Sequence, residues 1–459
     1  MSVRRLVFLR PLRERDFALI FAGTTVSALG DGLYYIALAW QTYELSNIPT
    51  AMSIVGVAAT LPQLVFLLLG GALSDRMDKR RLLVAADLLR GLAIGLIGVL
   101  SLTGALELWM LVALVAVYAA GTSLFTPAAT ALLPVILPKE ELGRGNALLT
   151  FSRTACVRVA GPGLGGIAIA LFGVGWAFVG DGISFFLSAL TLLALTKREF
   201  PAGARESLLG EIGEGLRYVR GERWLFVSLA AAPVGLLCYM GPMQVLLPFV
   251  VKNELEDGAR ALGIILASGG AGALLGSLLI GQLGQPRERV LVMYILWALS
   301  TFGIAGYAVS DTLWQFAAVC FVAIAGLIVG GIIWTTLLQE LVPERLLGRV
   351  ASVDVLVSFA FVPLSMAITG PIADAIGART TMLVAGLLGG LLLLAVPLAP
   401  SLRALNRADS ARAHAGKYER GLSGEAPATL PEPTADAPTP AAATEAEAQR
   451  AAAASDLRG

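Results

Sequence analysis

Apolar stretches of about 20 residues alternate with short polar segments along most of this chain. A stretch of that length crosses the hydrocarbon core of a bilayer as an α-helix. The pattern therefore predicts twelve membrane spans. The first stretch is too long for a secretory signal, so we expect it to remain as span 1. The predicted spans cover residues 17–40, 50–73, 82–103, 108–132, 146–170, 174–195, 224–250, 260–283, 290–310, 313–337, 350–375 and 379–400.

Basic residues fall on alternate loops, and this asymmetry predicts the orientation of the chain. The N-terminal segment and the loops after spans 2, 4, 8 and 10 carry arginine or lysine. The opposite loops hold almost none beyond Lys252, Arg260 and Arg379. Short loops rich in arginine and lysine stay in the cytoplasm. We therefore expect both termini to be cytoplasmic, which an even number of spans satisfies.

The order of these segments predicts five regions. They are a basic cytoplasmic N-terminus (1–16), a six-helix half (17–196), a cytoplasmic linker (197–223), a second six-helix half (224–400) and a cytoplasmic tail (401–459). In the linker, Leu208, Ile212, Leu216 and Val219 recur at helical spacing, which predicts an amphipathic helix on the membrane surface. The tail has almost no large apolar residue, so we expect it to be disordered.

The two predicted halves repeat one another. The loop after span 4 contains Pro-Lys-Glu-Glu-Leu-Gly-Arg at 138–144, and the loop after span 10 contains Pro-Glu-Arg-Leu-Leu-Gly-Arg at 343–349. A Gly-Pro pair follows in span 5 (161–162) and in span 11 (370–371). Parallel six-span halves with binding at their interface are typical of transporters in which access alternates between the two sides.

Composition narrows the classes of function. Hydrophobic residues make up 56% of the chain and charged residues 15%, against roughly 25% charged in a soluble domain, so a soluble enzyme is excluded. The net charge of +1 leaves no basic excess for nucleic acid. The single histidine, His414, lies in the tail, and the three cysteines are far apart in apolar runs. We therefore expect no metal or cofactor, and no paired nucleophile and base indicates an enzyme.

Ionisable residues inside the spans are the first functional candidates, because desolvating a charge is costly. Asp31, deep in span 1, is the proton-coupling candidate; the alternative is a structural partner for an arginine. Asp87 and Arg90 lie three residues apart on span 3, which predicts an ion pair between them. The spans contain eight such charges, namely Asp31, Asp87, Arg90, Arg153, Arg158, Asp181, Asp354 and Asp374. The first six belong to the first half, where we place the coupling.

Aromatic, amide and arginine side chains within the spans are candidates for lining a substrate cavity. A largely apolar cavity with few polar groups suits amphipathic organic compounds. We expect the arginines to attract an anionic group on the substrate, and the alternative for the aromatic residues is packing or contact with lipid. The candidates are Tyr34, Gln41, Gln63, Arg153, Arg158, Tyr239, Gln244 and Trp334.

The loop after span 2, Gly-Gly-Ala-Leu-Ser-Asp-Arg at 70–76 followed by a basic cluster, resembles the signature loop of the major facilitator superfamily. Residues 27–31, 86–90, 142–148 and 181–185 resemble one branch, which contains macrolide exporters and the enterobactin exporter. The resemblance covers about residues 17–400. It implies an all-α membrane protein with two six-helix pseudo-repeats, located in a bacterial plasma membrane, and we expect a monomer.

The same resemblance implies roles for two motifs. In this superfamily the aspartate of the signature loop holds the cytoplasmic side closed in one conformation, so Gly71, Asp75, Arg76 and Arg80 are the gating candidates. For Arg80 the alternative is that the basic cluster only sets topology.

The second motif is in span 5. Gly161, Pro162, Gly165 and Gly166 are similar to the Gly-Pro motif associated with antiporters. A proline bends the helix, and the glycines permit a close approach to a neighbouring helix.

The function implied by the resemblance is secondary export of drug-like or siderophore-like molecules by proton antiport. The expected partners are a small-molecule substrate, protons and membrane lipids. One alternative on the same fold is a flippase for lipids or lysolipids. A non-transporting membrane sensor or scaffold is less favoured, because a static protein has no need of a gating loop.

Overall fold

The computed structural model describes residues 9–74, 78–196, 208–255 and 258–407, and every regular element in these ranges is a helix. Twelve of the helical segments there are long and apolar enough to cross a membrane, as predicted. Spans 1–6 are Arg15–Leu45, Pro49–Phe66, Lys79–Leu102, Leu108–Ile136, Glu141–Phe172 and Val174–Leu193. Spans 7–12 are Arg223–Glu254, Gly258–Leu283, Arg289–Ala308, Leu313–Leu341, Glu344–Ile376 and Ala378–Leu398. The helix of span 2 continues to Ser74.

Three spans are interrupted, and a proline lies next to each interruption. Proline has no backbone N–H to donate, so the regular hydrogen-bond ladder fails there and the helix bends or widens. Span 5 consists of Lys139–Ala155, a π turn at Cys156–Ala160 and Gly161–Phe172, with Pro162 after the turn. Span 7 has a π turn at Pro242–Leu246, and span 11 is divided into Glu344–Phe359 and Val362–Ile376.

The two six-span halves meet along two pairs of helices. Span 2 packs against the second segment of span 11, and the second segment of span 5 packs against span 8. Within each half the neighbouring spans pack more extensively, with span 6 lying against spans 1 and 3. The structure thus has the two pseudo-repeats of the major facilitator fold, and the interrupted spans 5 and 11 occupy equivalent places at the interface.

Arg80 has a local role at the end of span 6. Its Nε donates a hydrogen bond to the carbonyl of Leu192 at 2.9 Å, and its guanidinium also bonds the carbonyl of Leu193. Such bonds satisfy carbonyl groups that a helix leaves free at its C-terminus. In this structure Arg80 therefore joins spans 3 and 6 of the same half, and its role in a gate stays a prediction.

Of the other three gating candidates, the structure describes only one. Gly71 lies in the helix of span 2. Asp75 and Arg76 lie outside the described residues.

The helix predicted in the linker is present at Leu208–Gly221. It packs against the first segment of span 11, where Val219 is buried beside Val350 and Glu214 forms an ion pair with Arg349. A Cβ atom at Gly215 would lie 2.7 Å from the carbonyl oxygen of Arg349, so the two backbones are in direct contact. The apolar side of this helix thus faces the second half of the protein.

A short helix at 400–407 follows span 12, and its Leu402 is 1% exposed. The first residues of the tail predicted at 401–459 are therefore helical. Residues 408–459 of that predicted tail lie outside the described residues.

Candidate functional site

Asp31 lies within span 1 on the side that faces span 4. The residue is 9% exposed, and the hydroxyl of Tyr118 donates a hydrogen bond to its Oδ1 at 2.7 Å. Among the described residues, no arginine or lysine lies within ion-pair distance of this carboxylate. The alternative that Asp31 serves as an arginine's structural partner therefore has no support in this structure.

Asp181 in span 6 lies close to Asp31. It is one of the eight in-span charges, but we assigned it no specific role from the sequence. Its side chain is fully buried, Ser184 donates to Oδ1 at 3.2 Å, and Oδ2 has no hydrogen-bond partner within the described ranges. A Cβ atom at Gly30 would lie 2.2 Å from Asp181 Oδ1. The carboxyl group therefore rests on the backbone beside Asp31, and only glycine leaves room for it.

The predicted ion pair between Asp87 and Arg90 is confirmed. Both residues are buried, with 0% and 3% of their surfaces exposed. The guanidinium lies between two aromatic rings, 4.2 Å from the centroid of Phe125 and 4.4 Å from that of Phe185. Such contacts stabilise a desolvated cation. This cation is thus matched by its own carboxylate and by its aromatic surroundings.

Several predicted cavity residues lie in packed cores instead. Tyr34 is 2% exposed, Gln41 5% and Tyr239 4%. The ring of Tyr34 packs on Tyr118 with centroids 4.6 Å apart, and Gln41 accepts a hydrogen bond from Ser101. Tyr34 and Gln41 thus make their contacts within the first half. A cavity role for these two residues and for Tyr239 stays a prediction.

Trp334 is also held by packing. Its Nε1 donates to Asp354 Oδ2 at 3.1 Å, and its ring lies between those of Trp224 and Trp297. This joins spans 7, 9, 10 and 11 and leaves only part of the ring exposed. Trp334 thus has a packing role in this structure, and its predicted place in a cavity stays a prediction.

Four predicted cavity residues are exposed, namely Gln63, Arg153, Arg158 and Gln244. Arg153 and Arg158 make no ion pair with any described residue. Both lie close enough to Tyr35 to act on it electrostatically, and so does Asp31. Tyr35 is 54% exposed. The two arginines and this tyrosine therefore form one exposed polar area on spans 1 and 5, and the buried Asp31 lies near it.

The Gly-Pro motif brings span 5 into backbone contact with two other spans. A Cβ atom at Gly161 would lie 2.5 Å from the Cα of Gly32 in span 1. One at Gly166 would lie 2.8 Å from the carbonyl oxygen of Ala259 in span 8, and one at Gly165 would lie 3.2 Å from the Cα of Leu33. The motif thus carries the interface between the halves, directly beside Asp31.

A second set of contacts closes the interface where the loops after spans 1 and 7 meet. Asn47 Nδ2 donates to Asn253 Oδ1 at 2.7 Å, Thr50 donates to Asp374, and the backbone N–H of Gly370 donates to Ser53 Oγ at 2.8 Å. All three bonds join the first half to the second. Under the orientation predicted from the basic loops, this closed end faces away from the cytoplasm.

Comparison with known proteins agrees with this architecture. A model of the family described as transmembrane secretion effector matches residues 7–423. The chain is 32% identical over 407 residues to the multidrug efflux pump Tap of Mycolicibacterium fortuitum, with 85% of this chain and 97% of that protein covered. It is 24% identical over 403 residues to macrolide efflux protein A of Streptococcus pyogenes, with the same coverage.

Solved structures share the fold at low sequence identity. The nucleoside transporter NupG superposes with a TM-score of 0.62 at 10% identity, covering 82% of this chain and 98% of that one. A bacterial homologue of the iron transporter ferroportin, in its inward-facing state, superposes with a TM-score of 0.58 at 18% identity, covering 83% and 98%.

Proposed function

The chain belongs to the transmembrane secretion effector family of the major facilitator superfamily, and from this membership we propose that it exports small amphipathic organic molecules in exchange for protons. Its place on the macrolide-efflux branch makes it an efflux transporter, not an enzyme, in a bacterial plasma membrane. Two parts of this statement are our proposal: that the proton is the coupling ion, and that the substrate is amphipathic.

The observation that carries the proposal is the environment of Asp31. A carboxylate inside a span with no basic partner in contact is a candidate for proton binding, because an unpaired charge in the membrane is costly. The nearby backbone contact between Gly32 and Gly161 lies where spans 1 and 5 cross. A change in the charge of Asp31 therefore occurs next to the helices that rearrange when access alternates.

The exposed polar area on spans 1 and 5 supports an amphipathic substrate. Arg153 and Arg158 offer positive charge and Tyr35 offers an aromatic face, while the carboxylate of Asp31 is buried near them. Gln63 and Gln244 add exposed amides, one in each half. Few polar groups in a largely apolar surrounding fix the orientation of an organic molecule without restricting it to one structure. Two relatives are a multidrug efflux pump and a macrolide efflux protein.

In the proposed cycle the halves rock about this site, with both termini in the cytoplasm and the protein acting as a monomer. The bonds from Asn47, Thr50 and Ser53 to the second half support a state that is closed on the extracellular side. Asp75 and Arg76 remain the proposed gate of the opposite side. Closure there would require the extracellular contacts to open, as expected for alternating access.

The proposal is tested with the full-length protein in lipid vesicles. An imposed pH gradient, acid on the side that receives the substrate, should drive accumulation of radiolabelled erythromycin, and an ionophore that collapses the gradient should abolish it. Accumulation that ignores the gradient would contradict proton antiport. Movement of a fluorescent lysolipid between leaflets, with no erythromycin transport, would identify a flippase instead.

Arg158 provides a prediction about the substrate. Arg158→Ala should lower export of a rhodamine dye with a free carboxylate by about fivefold relative to its methyl ester, since one exposed ionic contact contributes up to about 1 kcal/mol. The measurement is the ratio of initial export rates of the two dyes. Gln244→Ala is the control and should leave this ratio unchanged. An equal loss for both dyes would show that Arg158 does not select for charge.

A further inference from the structure

A group of buried charges lies inside the first half, between spans 1, 3, 4 and 6. Its carboxylates are Asp31, Asp87 and Asp181, and its cation is Arg90. Arg90 is in direct contact with Asp87, so this pair is neutral as a unit. Among the described residues, Asp31 and Asp181 have no cation in contact, and the charge of Asp31 acts electrostatically on Asp181.

Ionising Asp181 next to the carboxylate of Asp31 carries a large energetic penalty. Desolvation disfavours the charge of a fully buried group, and repulsion from a like charge adds to that penalty. Asp181 has less compensation than Asp31, because it is 0% exposed and its Oδ2 has no partner in the part of the chain that is described. The unpartnered oxygen is a free acceptor, which a proton on the carboxyl group would satisfy.

We propose that Asp181 is a second proton-binding residue, which shares a proton with Asp31. This inference rests on the proposed proton antiport and adds a second site to it. The proton leaves one carboxyl group and binds the other carboxylate, with no other reactant. Asp31, which is partly accessible, exchanges it with the polar area on spans 1 and 5, whereas Asp181 holds it inside the half.

The groups around Asp181 fit this assignment. From span 1 it faces Asp31 and Tyr34, from span 3 the Asp87–Arg90 pair, and from span 4 the hydroxyl of Tyr118. Tyr118 already donates to Asp31. Arg90 attracts Asp181 from a distance but is engaged by Asp87. The only direct hydrogen bond to the Asp181 carboxyl group from a described residue comes from Ser184.

Infrared spectroscopy tests this proposal without any transport step. The purified full-length protein, labelled with isotopically heavy aspartate and held in lipid vesicles, is scanned over pH for carbonyl bands of protonated aspartic acid. Asp181→Asn should remove one band and Asp31→Asn another. Each substitution should also shift the pH range over which the remaining band appears by about one unit or more, since the two groups titrate as a pair.

Two outcomes would overturn the assignment. In the first, Asp181→Asn removes no band. In the second, it removes one band but leaves the pH range of the Asp31 band untouched. If Asp181→Asn does not fold, the Asp31→Asn spectrum still tests the Asp181 band. Glu344→Gln is the control, because this exposed carboxyl group lies at the start of span 11. A failure of gradient-driven transport in the wild-type protein would reject proton antiport and leave the infrared result standing.

Discussion

Asp31→Asn should abolish gradient-driven export while drug binding and passive exchange persist. Asparagine keeps the size of the side chain, and its carbonyl still accepts the hydrogen bond from Tyr118. It has no proton to bind or release, so proton movement no longer alters the charge beside the crossing of spans 1 and 5. We expect a loss of about 100-fold in accumulation under a pH gradient, within the range of known coupling free energies of about 1–3 kcal/mol.

The comparison of two transport modes isolates the coupling step. Exchange of labelled for unlabelled erythromycin at equal pH on both sides needs no net proton transfer, so Asp31→Asn should retain at least about half of it. Glu344→Gln removes a carboxylate far along the chain and should change neither mode. If Asp31→Asn loses exchange and accumulation together, Asp31 is a substrate contact or a structural residue, and the proton carrier lies elsewhere.

The number and order of the spans could be predicted from sequence because they depend on local hydrophobicity. Each apolar stretch must satisfy its own backbone hydrogen bonds in lipid, which requires a helix whatever its neighbours are. The Asp87–Arg90 pair was also predictable, since residues three apart lie on one face of a helix. The structure confirms both expectations.

The direction in which a span faces was not predictable in the same way. Tyr34 and Tyr35 are adjacent, yet Tyr34 is 2% exposed and Tyr35 54%. A hydropathy pattern that is apolar all around the helix does not fix its rotation, which depends on packing against other spans. The same uncertainty led us to place Gln41 in a cavity, whereas it bonds Ser101 inside the first half.

Asp181 received no specific role from the sequence, because that role depends on a neighbour in another span. In the sequence it is one of eight charges in apolar stretches and begins the motif at 181–185, and neither feature indicates proton binding. Gly30 carries the relevant signal, since its lack of a Cβ atom leaves room for the Asp181 carboxyl group. That signal becomes visible only when spans 1 and 6 are known to be adjacent.

Gly161→Val should prevent the protein from reaching its folded state. A Cβ atom at this position would lie 2.5 Å from the Cα of Gly32 and 2.7 Å from the carbonyl oxygen of Cys156. Both are backbone atoms, so no side chain can rotate away, and spans 1 and 5 must separate. Overpacking of a side chain typically costs about 1–3 kcal/mol, and a clash between two backbones should exceed that range.

The amount of monodisperse protein after membrane extraction, together with its thermal midpoint, measures this effect. Gly163→Val is the matched control, since it lies two residues along the same helix and its added Cβ would find only Ala267 Cβ, at 3.9 Å. We expect Gly163→Val to be recovered like the wild type and Gly161→Val to be lost to aggregation. Equal recovery of both variants would mean that spans 1 and 5 do not cross at Gly32 and Gly161. Asp31 would then not lie beside a crossing through which a change in its charge could move the helices.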